Sequence, residues 1–228
     1  MSKTIKFTGK NKTLDDIYKD SKFSQFSIIK MQQVHGNEFL ELNNSHTNLW
    51  GNKLQQVEKV IEIPNVDAII TNQKNILLTV KTADCLPILI YFSDNDKSEV
   101  IAAIHAGRVG TEKKIFAKVL EHLKTKYKID KLLNESSAAK LSIWFGPAIC
   151  KKCYQIDQKK NIHYDLYQKN LEQIYLSFPE FCKGNITDSN KIEIIKSKFC
   201  TLHDNEKFHS YRKSGKGVPM NYSLIGLE

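Results

Sequence analysis

Short apolar runs separated by turns constrain the fold of this chain more than any other feature of its sequence. Two segments are predicted to form helices, one from an N-cap at Thr111 to about residue 126 and one near 165–177. Strands therefore outnumber helices, and their mixed order predicts an α+β fold with mixed β-sheets flanked by helices, in a single domain over residues 1–228. Seven runs are predicted to form strands: 26–31, 68–72, 76–80, 86–92, 99–104, 141–145 and 191–196.

Composition narrows the class of protein. Hydrophobic residues make up 41% and charged residues 26% of the 228 positions, as in ordinary globular proteins. There is no apolar run of about 20 residues that could span a bilayer, and the N-terminus has no signal-peptide core. We therefore expect a cytoplasmic protein without a membrane partner, whose five cysteines are reduced thiols. The polar stretch 42–60 is predicted to be irregular.

The net charge of +9 invites a nucleic-acid interpretation, but the type of basic residue argues against it. The chain has 32 lysines, spread along its length, and only two arginines, Arg108 and Arg212. Arginine is the preferred residue for bidentate contacts with phosphates and bases. We therefore expect no nucleic-acid partner, while the sequence leaves the oligomeric state open.

Three segments place a metal-binding side chain beside a break in structure. QQVHGN has His35 before a glycine, TADCLP has Cys85 at the start of a buried strand, and AAIHAGRVGT has His105 before a glycine turn. Side chains at strand ends and glycine turns can converge on a cleft. Two imidazoles and one thiolate suit zinc, whose catalytic sites take three protein ligands and keep a fourth position open.

Each of these residues also has an ordinary structural interpretation. A lone cysteine before an apolar strand is more often part of the core, and a histidine beside glycine is more often a turn residue. CKKC (150–153) resembles half of a zinc knuckle, but the chain has no second C-x-x-C, so a structural zinc is not the favoured interpretation there. The other histidines have no mutual spacing that indicates ligation: His46, His122, His163, His203 and His209.

Five motifs, in this order, resemble the YfiH/LACC1 family, also called DUF152 or "multicopper polyphenol oxidoreductase laccase". They are QVHG, TADCLPIL, AAIHAG, FGPAICKKCYQID and CT…FHSYRKSGKG. The resemblance implies a fold compared with that of cysteine-dependent toxin deamidases. It also implies zinc-dependent phosphorolysis of adenosine, inosine, guanosine and methylthioadenosine, together with adenosine deamination. The implied partners are small molecules, purine nucleosides and phosphate, and the implied zinc ligands are His35, Cys85 and His105.

This sequence departs from the family pattern in three of the motifs. The usual HAGWRG reads HAGRVG, which moves the arginine one position forward and removes the tryptophan. The usual GPCCYEV reads CKKCYQI, leaving Cys153 in the place of the second cysteine, and the usual TGRMA reads KGVPMN. The departures fall in segments that would contact phosphate and base, and the three ligands are retained.

The histidine content excludes the copper-oxidase activity in the family's older label. A four-copper oxidase requires many histidines, several of them in His-x-His pairs, whereas this chain has 7 histidines and no such pair. Copper binding at His35, Cys85 and His105 would then be adventitious, because copper outranks zinc at ligands of this type.

The remaining site residues are assigned from the motifs. Arg108, ahead of a predicted helix N-terminus, and Arg212 are predicted to hold phosphate, with Lys213 assisting. Asp84 is a candidate to relay protons to a zinc-activated water that attacks C6 of adenine, or else a cap at the strand start. Substrate contacts are predicted for Gln33 and Cys153. Segments 146–154 and 210–217 are expected to roof the cleft.

Two other functional classes stay open. A Cys85 thiolate with His105 as its base would make a cysteine hydrolase dyad. A non-catalytic protein of the laccase-domain family that binds copper or zinc is the third class, because the tryptophan and one arginine of the family pattern are missing.

Overall fold

Two mixed β-sheets form the centre of the molecule. The structure, a computed structural model, describes residues 3–10, 12–43, 60–95, 98–183, 186–187 and 190–228. The strands are β1 (Lys3–Phe7), β2 (Ser27–Met31), β3 (Phe39–Leu42), β4 (Val60–Ile63), β5 (Ala68–Thr71), β6 (Ile76–Thr82), β7 (Leu86–Asp94), β8 (Ser98–Ala106), β9 (Ala139–Phe145), β10 (Gln155–Asp157), β11 (Ile162–His163), β12 (Cys182–Lys183), β13 (Ile186–Thr187), β14 (Ile192–Lys196) and β15 (Asn221–Leu227). The α-helices are α1 (Leu14–Lys19), α2 (Arg108–Glu112), α3 (Ile115–Tyr127), α4 (Ile129–Glu135), α5 (Leu166–Ser177) and α6 (Tyr211–Ser214).

Both sheets combine parallel and antiparallel strands. Within the described residues, the first has the order β1-β15-β6-β2-β4 and the second the order β14-β9-β7-β8-β5-β3. In the first, β2 runs parallel to β4 and β6 while β15 runs antiparallel to its neighbours. In the second, the long pairing of β7 with β8 is antiparallel, and the outer pairs β14–β9 and β5–β3 are parallel. The predicted α+β class, with mixed β-sheets flanked by helices, is therefore confirmed.

The sheets pack face to face, and helices cover the outer face of each. One core cluster lies between the sheets and joins Leu78 of β6 to Leu89 of β7. A second lies between the other face of the second sheet and helices α3 and α5, and a third lies under α1. Because β7 is covered on both faces, consecutive residues such as Ile88 and Leu89, which point to opposite faces, are both fully buried, and this explains the unbroken apolar run of the strand.

The predicted strands are confirmed, while the start of the first helix is corrected. Lys114 adopts a left-handed conformation (φ 60°) and α3 begins only after it, so Thr111 is not the N-cap. Thr111 is instead buried inside the separate helical turn α2, where its hydroxyl accepts a hydrogen bond from Asn170. Most of the predicted irregular stretch 42–60 lies outside the described residues. Among the described residues, no helix is both long and apolar enough to cross a membrane.

Candidate active site

A cleft lies where loops of the two sheets come together. It is a cavity of about 760 Å³, within the range expected for small-molecule sites. Its lining comes from the loop after β2, the turn between β6 and β7, the end of β8 with α2, and the segments around Tyr154 and Tyr211. Of the two segments predicted to roof the cleft, 146–154 contributes Tyr154 to the lining and 210–217 contributes Tyr211 and Arg212.

His35, Cys85 and His105 meet at this cavity. Each offers one ligand atom, and the three atoms lie within 4.8 Å of one another. The rings of His35 and His105 are edge to face, with centroids 4.7 Å apart. In a tetrahedral zinc site with bonds of about 2.0–2.3 Å, ligand atoms are about 3.3–3.8 Å apart. The set therefore fits a metal ion after small side-chain movements.

The backbone around Gly107 allows this close approach. A Cβ atom at position 107 would lie 2.9 Å from the Cys85 sulfur and 3.2 Å from the His35 ring. Gly107 follows β8 directly and faces the turn that carries Cys85, because Leu86 pairs with Ala106. A side chain at position 107 would occupy the space in which the sulfur and the imidazole meet.

Asp67 is a buried carboxylate that orients two of the three ligand residues. Its Oδ1 lies 2.7 Å from Nδ1 of His105 and accepts the backbone N–H of His35 at 3.0 Å. Its Oδ2 accepts the N–H of Gly36 at 2.6 Å. A carboxylate that binds one ring nitrogen of a histidine fixes the ring and leaves the other nitrogen as the ligand. Sequence reasoning missed Asp67, although an acidic residue at the start of the apolar run DAII is a usable signal.

Electrostatics favour the thiolate form of Cys85. Burial acts to raise the pKa of its thiol, but the charge of His105 and hydrogen bonds to His105 and His35 outweigh burial and lower that pKa to about 6. Burial acts to lower the pKa of His105, yet the Cys85 sulfur and Asp67 raise it to about 9. Without a metal, the two groups therefore form a thiolate–imidazolium pair, and the thiolate is the form that binds metals.

Both arginines of the chain line the cavity although they are far apart in sequence. Arg108 forms an ion pair with Glu112, with Nη1 3.0 Å from Oε1, and keeps 39% of its side chain exposed. Arg212 donates from Nη2 to the carbonyl of Gln155 at 3.0 Å and lies over the Tyr154 ring. Arg108 is the first residue of the five-residue helix α2 rather than preceding a long helix, so a helix-dipole contribution to anion binding is not supported.

Asp84 joins three loops through its carboxylate. Its Oδ1 accepts the hydroxyl of Thr201 at 2.7 Å and its Oδ2 accepts the backbone N–H of Arg212 at 2.6 Å. The residue is buried and has a positive φ of 100°. Asp84 thus lines the cavity, while its two oxygens position the segments that carry Thr201 and Arg212.

The other predicted substrate contacts differ in placement. Gln33 lines the cavity, but both ends of its side-chain amide bind the backbone of Lys81: Nε2 donates to the carbonyl and Oε1 accepts the N–H. Among the described residues, those that line the cavity do not include Lys213, which is exposed, or Cys153. Instead, Cys153 and Cys150 lie with Cys200 and His203 in a second cluster.

A family comparison matches nearly the whole chain. The family described as "Multi-copper polyphenol oxidoreductase laccase" matches residues 11–228. The chain belongs to this family. Among solved structures, the chain is similar to YlmD from Geobacillus stearothermophilus, with 22% identity, a TM-score of 0.67 and coverage of 93% of this chain and 77% of that one. A Neisseria meningitidis protein of DUF152 has 18% identity, a TM-score of 0.64 and coverage of 100% and 91%. These likenesses support the fold.

Relatives that are closer in sequence carry enzyme names. A purine nucleoside phosphorylase of Clostridium acetobutylicum is 31% identical over 173 residues, covering 72% of this chain and 68% of that protein. One of Rickettsia prowazekii is 27% identical over 214 residues, covering 89% of this chain and 78% of its own. Similarity to these relatives therefore extends over most of both chains.

Proposed function

We propose that this protein phosphorolyses purine nucleosides in the cavity that His35, Cys85 and His105 line. The observation that carries the proposal is that these three ligand residues and both arginines of the chain line one cavity. Phosphorolysis requires an anion to be held against the ribose while negative charge develops on the leaving base. The names of the relatives, purine nucleoside phosphorylases, support the same reaction.

In this proposal, different residues of the cavity bind the phosphate and the purine. Arg108 and Arg212 bind the phosphate dianion, and the exposed ring of Tyr211 and the ring of Tyr154 offer flat surfaces for a purine. Thr82 also lines the cavity, and its hydroxyl is buried without a hydrogen-bond partner in the described part of the chain. A bound zinc ion would supply a Lewis acid at the three-ligand site.

The finer parts of the proposal follow the family resemblance. The substrates are adenosine, inosine, guanosine and methylthioadenosine, and adenosine is also deaminated. The metal is zinc, because two imidazoles and a thiolate are a borderline-soft donor set. Asp84 positions Arg212, because its carboxylate accepts the backbone N–H of Arg212.

Product analysis tests the reaction directly. The purified protein is incubated with each of the four nucleosides, with and without phosphate, and the products are identified by liquid chromatography and mass spectrometry. We expect the free base and ribose 1-phosphate (or its methylthio analogue) only when phosphate is present, and inosine from adenosine. Protein that retains its metal and its fold yet releases no base in any mixture would contradict the proposal.

Arg212→Lys tests the phosphate site. Lysine keeps the charge but loses the planar fork that binds two phosphate oxygens and stacks on Tyr154. We expect the KM for phosphate to rise about tenfold, equivalent to about 1.4 kcal/mol. Metal content should not change, because the backbone contact of Arg212 with Asp84 remains.

Lys216→Ala is the matched control for this substitution, because Lys216 is an exposed cation in the same segment. It should leave the KM for phosphate unchanged. Equal phosphate kinetics in Arg212→Lys and the unaltered protein would remove Arg212 from the phosphate site.

A cysteine hydrolase is the second candidate, and one observation favours it. Cys85 can act as nucleophile, His105 as its base and Asp67 as the acid that orients the base, because Oδ1 of Asp67 lies 2.7 Å from Nδ1 of His105. Such a triad does not require His35, whose ligand atom also lies within 4.8 Å of those of Cys85 and His105. Activity that is lost to a chelator and restored by zinc supports the metal enzyme. Activity of metal-free protein that iodoacetamide abolishes supports the hydrolase.

A further inference from the structure

Four side chains of metal-binding type meet in a second place, outside the lining of the cavity. Cys150, Cys153, Cys200 and His203 each offer one ligand atom, and all four atoms lie within 4.8 Å of one another. They come from two short segments, CKKC and CTLH, and each segment has two residues between its ligands. Zinc sites of the Cys₃His type are built from pairs with short spacings of this kind.

The contacts within the cluster have the dimensions of a coordination shell. The sulfur of Cys153 lies 3.2 Å from Nε2 of His203, and the sulfur of Cys150 lies 3.8 Å from Nδ1 of the same ring. With bonds of about 2.0–2.3 Å, the edges of a tetrahedral zinc site are about 3.3–3.8 Å long. These two distances run to different nitrogens of the ring, so binding of one ion by both sulfurs and one ring nitrogen would require the ring to turn.

The backbone of both segments is arranged around the sulfur of Cys200. The N–H of Cys150 donates to this sulfur at 3.3 Å. Backbone N–H groups of Leu202 and His203, from the second segment, also point at this sulfur. Hydrogen bonds of this kind favour the charged sulfur that a metal requires.

The two segments are also held together directly. Ala148 forms a parallel bridge with Cys200, and the N–H of Thr201 donates to the carbonyl of Ala148 at 3.2 Å. The chain turns tightly at the first pair, where the N–H of Cys153 donates to the carbonyl of Cys150 at 3.0 Å. The ligand positions are thus set by backbone contacts and do not depend on long flexible side chains.

We infer that Cys150, Cys153, Cys200 and His203 bind a structural zinc ion with four protein ligands. A complete set of four leaves no position for a reactant, which distinguishes this site from the three-ligand site in the cavity. Three thiolates and one imidazole select a soft or borderline ion over magnesium or calcium. The inference goes beyond the proposed function and does not depend on it.

Such an ion would fasten two segments that reach the cavity. Tyr154 follows Cys153 directly, and Thr201 follows Cys200 and donates to Asp84. The metal would therefore hold one wall of the cavity in place without touching the substrate.

A disulfide between Cys150 and Cys153 is the main competing state of these thiols. It would use two of the three sulfurs and would not explain why Cys200 and His203 lie within 4.8 Å of them. A mass measurement of the intact protein under non-reducing conditions separates the two states, because oxidation of two thiols to a disulfide removes two hydrogen atoms from the protein.

The test measures metal content by mass spectrometry in variants that disable one site at a time. A His35→Ala/Cys85→Ser variant, which lacks the site in the cavity, should retain one zinc ion per chain. Adding Cys150→Ser and Cys153→Ser to it should abolish that binding, whereas adding Cys182→Ser, a buried cysteine outside both clusters, should not. X-ray absorption of the His35→Ala/Cys85→Ser variant should give three sulfur neighbours and one nitrogen neighbour.

The same experiment can overturn the inference in three ways. The His35→Ala/Cys85→Ser variant could fold and hold no zinc, its absorption spectrum could lack sulfur neighbours, or its cysteines could form a disulfide. The spectrum and the mass do not depend on the Cys150 and Cys153 substitutions, so misfolding of that variant would not obscure the result. Failure of the proposed phosphorolysis would leave all of these readouts unchanged.

Discussion

At the scale of single residues, the site in the cavity depends on one carboxylate that sequence motifs do not mark. Asp67 is fully buried and accepts hydrogen bonds from His105 and from the backbone of His35 and Gly36. Burial acts to raise its pKa, but the contacts with His105 and with the N–H groups of Gly36 and Val34 lower it, so the group is ionised. A single charge therefore fixes two ligands that lie 70 positions apart in the sequence.

Asp67→Asn should weaken metal binding in the cavity. The amide keeps the shape of the side chain but loses the charge, and one of its two ends can no longer accept an N–H. Loss of an outer-shell partner typically lowers metal affinity about 10–100-fold. Zinc affinity is measured by competition with a chromophoric chelator, in protein whose Cys150 and Cys153 are replaced by serine so that one site is observed.

Asp15→Asn, a change on the exposed surface of α1, is the control and should leave zinc affinity unchanged. An Asp67→Asn protein that binds zinc as tightly as its parent would show that the carboxylate does not orient the ligands.

At the scale of elements, periodicity and composition predicted the strands because each is buried on a sheet face. The start of α3 could not be predicted in this way, because it depends on the left-handed Lys114 and on burial of Thr111 against Asn170. Both are tertiary effects that local sequence does not encode. The positions of Cys85 and His105 at the ends of β7 and β8 could be predicted, because each residue adjoins an apolar run.

Glu41 connects an edge strand to a helix and provides a test at this scale. Its carboxylate, 10% exposed, accepts hydrogen bonds from His122, Lys126 and Tyr127 of α3 at 2.6–2.7 Å. Burial acts to raise the pKa of Glu41, but these contacts outweigh it and lower the pKa below 4.5. Because the folded pKa is depressed, the stabilisation is present above pH 4.5 and is lost as pH falls through the folded pKa.

Glu41→Gln should therefore reduce the free energy of unfolding by about 1–3 kcal/mol at neutral pH. The difference from the unaltered protein should shrink as urea unfolding is repeated at progressively lower pH, below the ordinary pKa of the carboxyl. Glu38→Gln is the control, because the Glu38 side chain is 72% exposed and should contribute little. A deficit that does not change with pH would mean that the charge of Glu41 is not what stabilises the contact.

At the scale of the whole molecule, one cluster of metal-ligand side chains lines the cavity, and a second lies in segments next to it. The first could be predicted because three motifs each contain one ligand beside a turn. The second was missed because the search for a partner to CKKC considered cysteine pairs, whereas its other half is the C-x-x-H of CTLH. Spacing alone could suggest that pairing, but only the bridge between Ala148 and Cys200 brings the two segments together.

The measurement that tests the central claim most directly is phosphorolysis of inosine with the site in the cavity loaded or empty. The comparison uses zinc-loaded protein and the His35→Ala/Cys85→Ser variant, which keeps the second cluster intact. With phosphate present, we expect the loaded protein to release hypoxanthine and ribose 1-phosphate, and the folded variant to lose this activity. Equal rates of base release from both proteins would contradict the account.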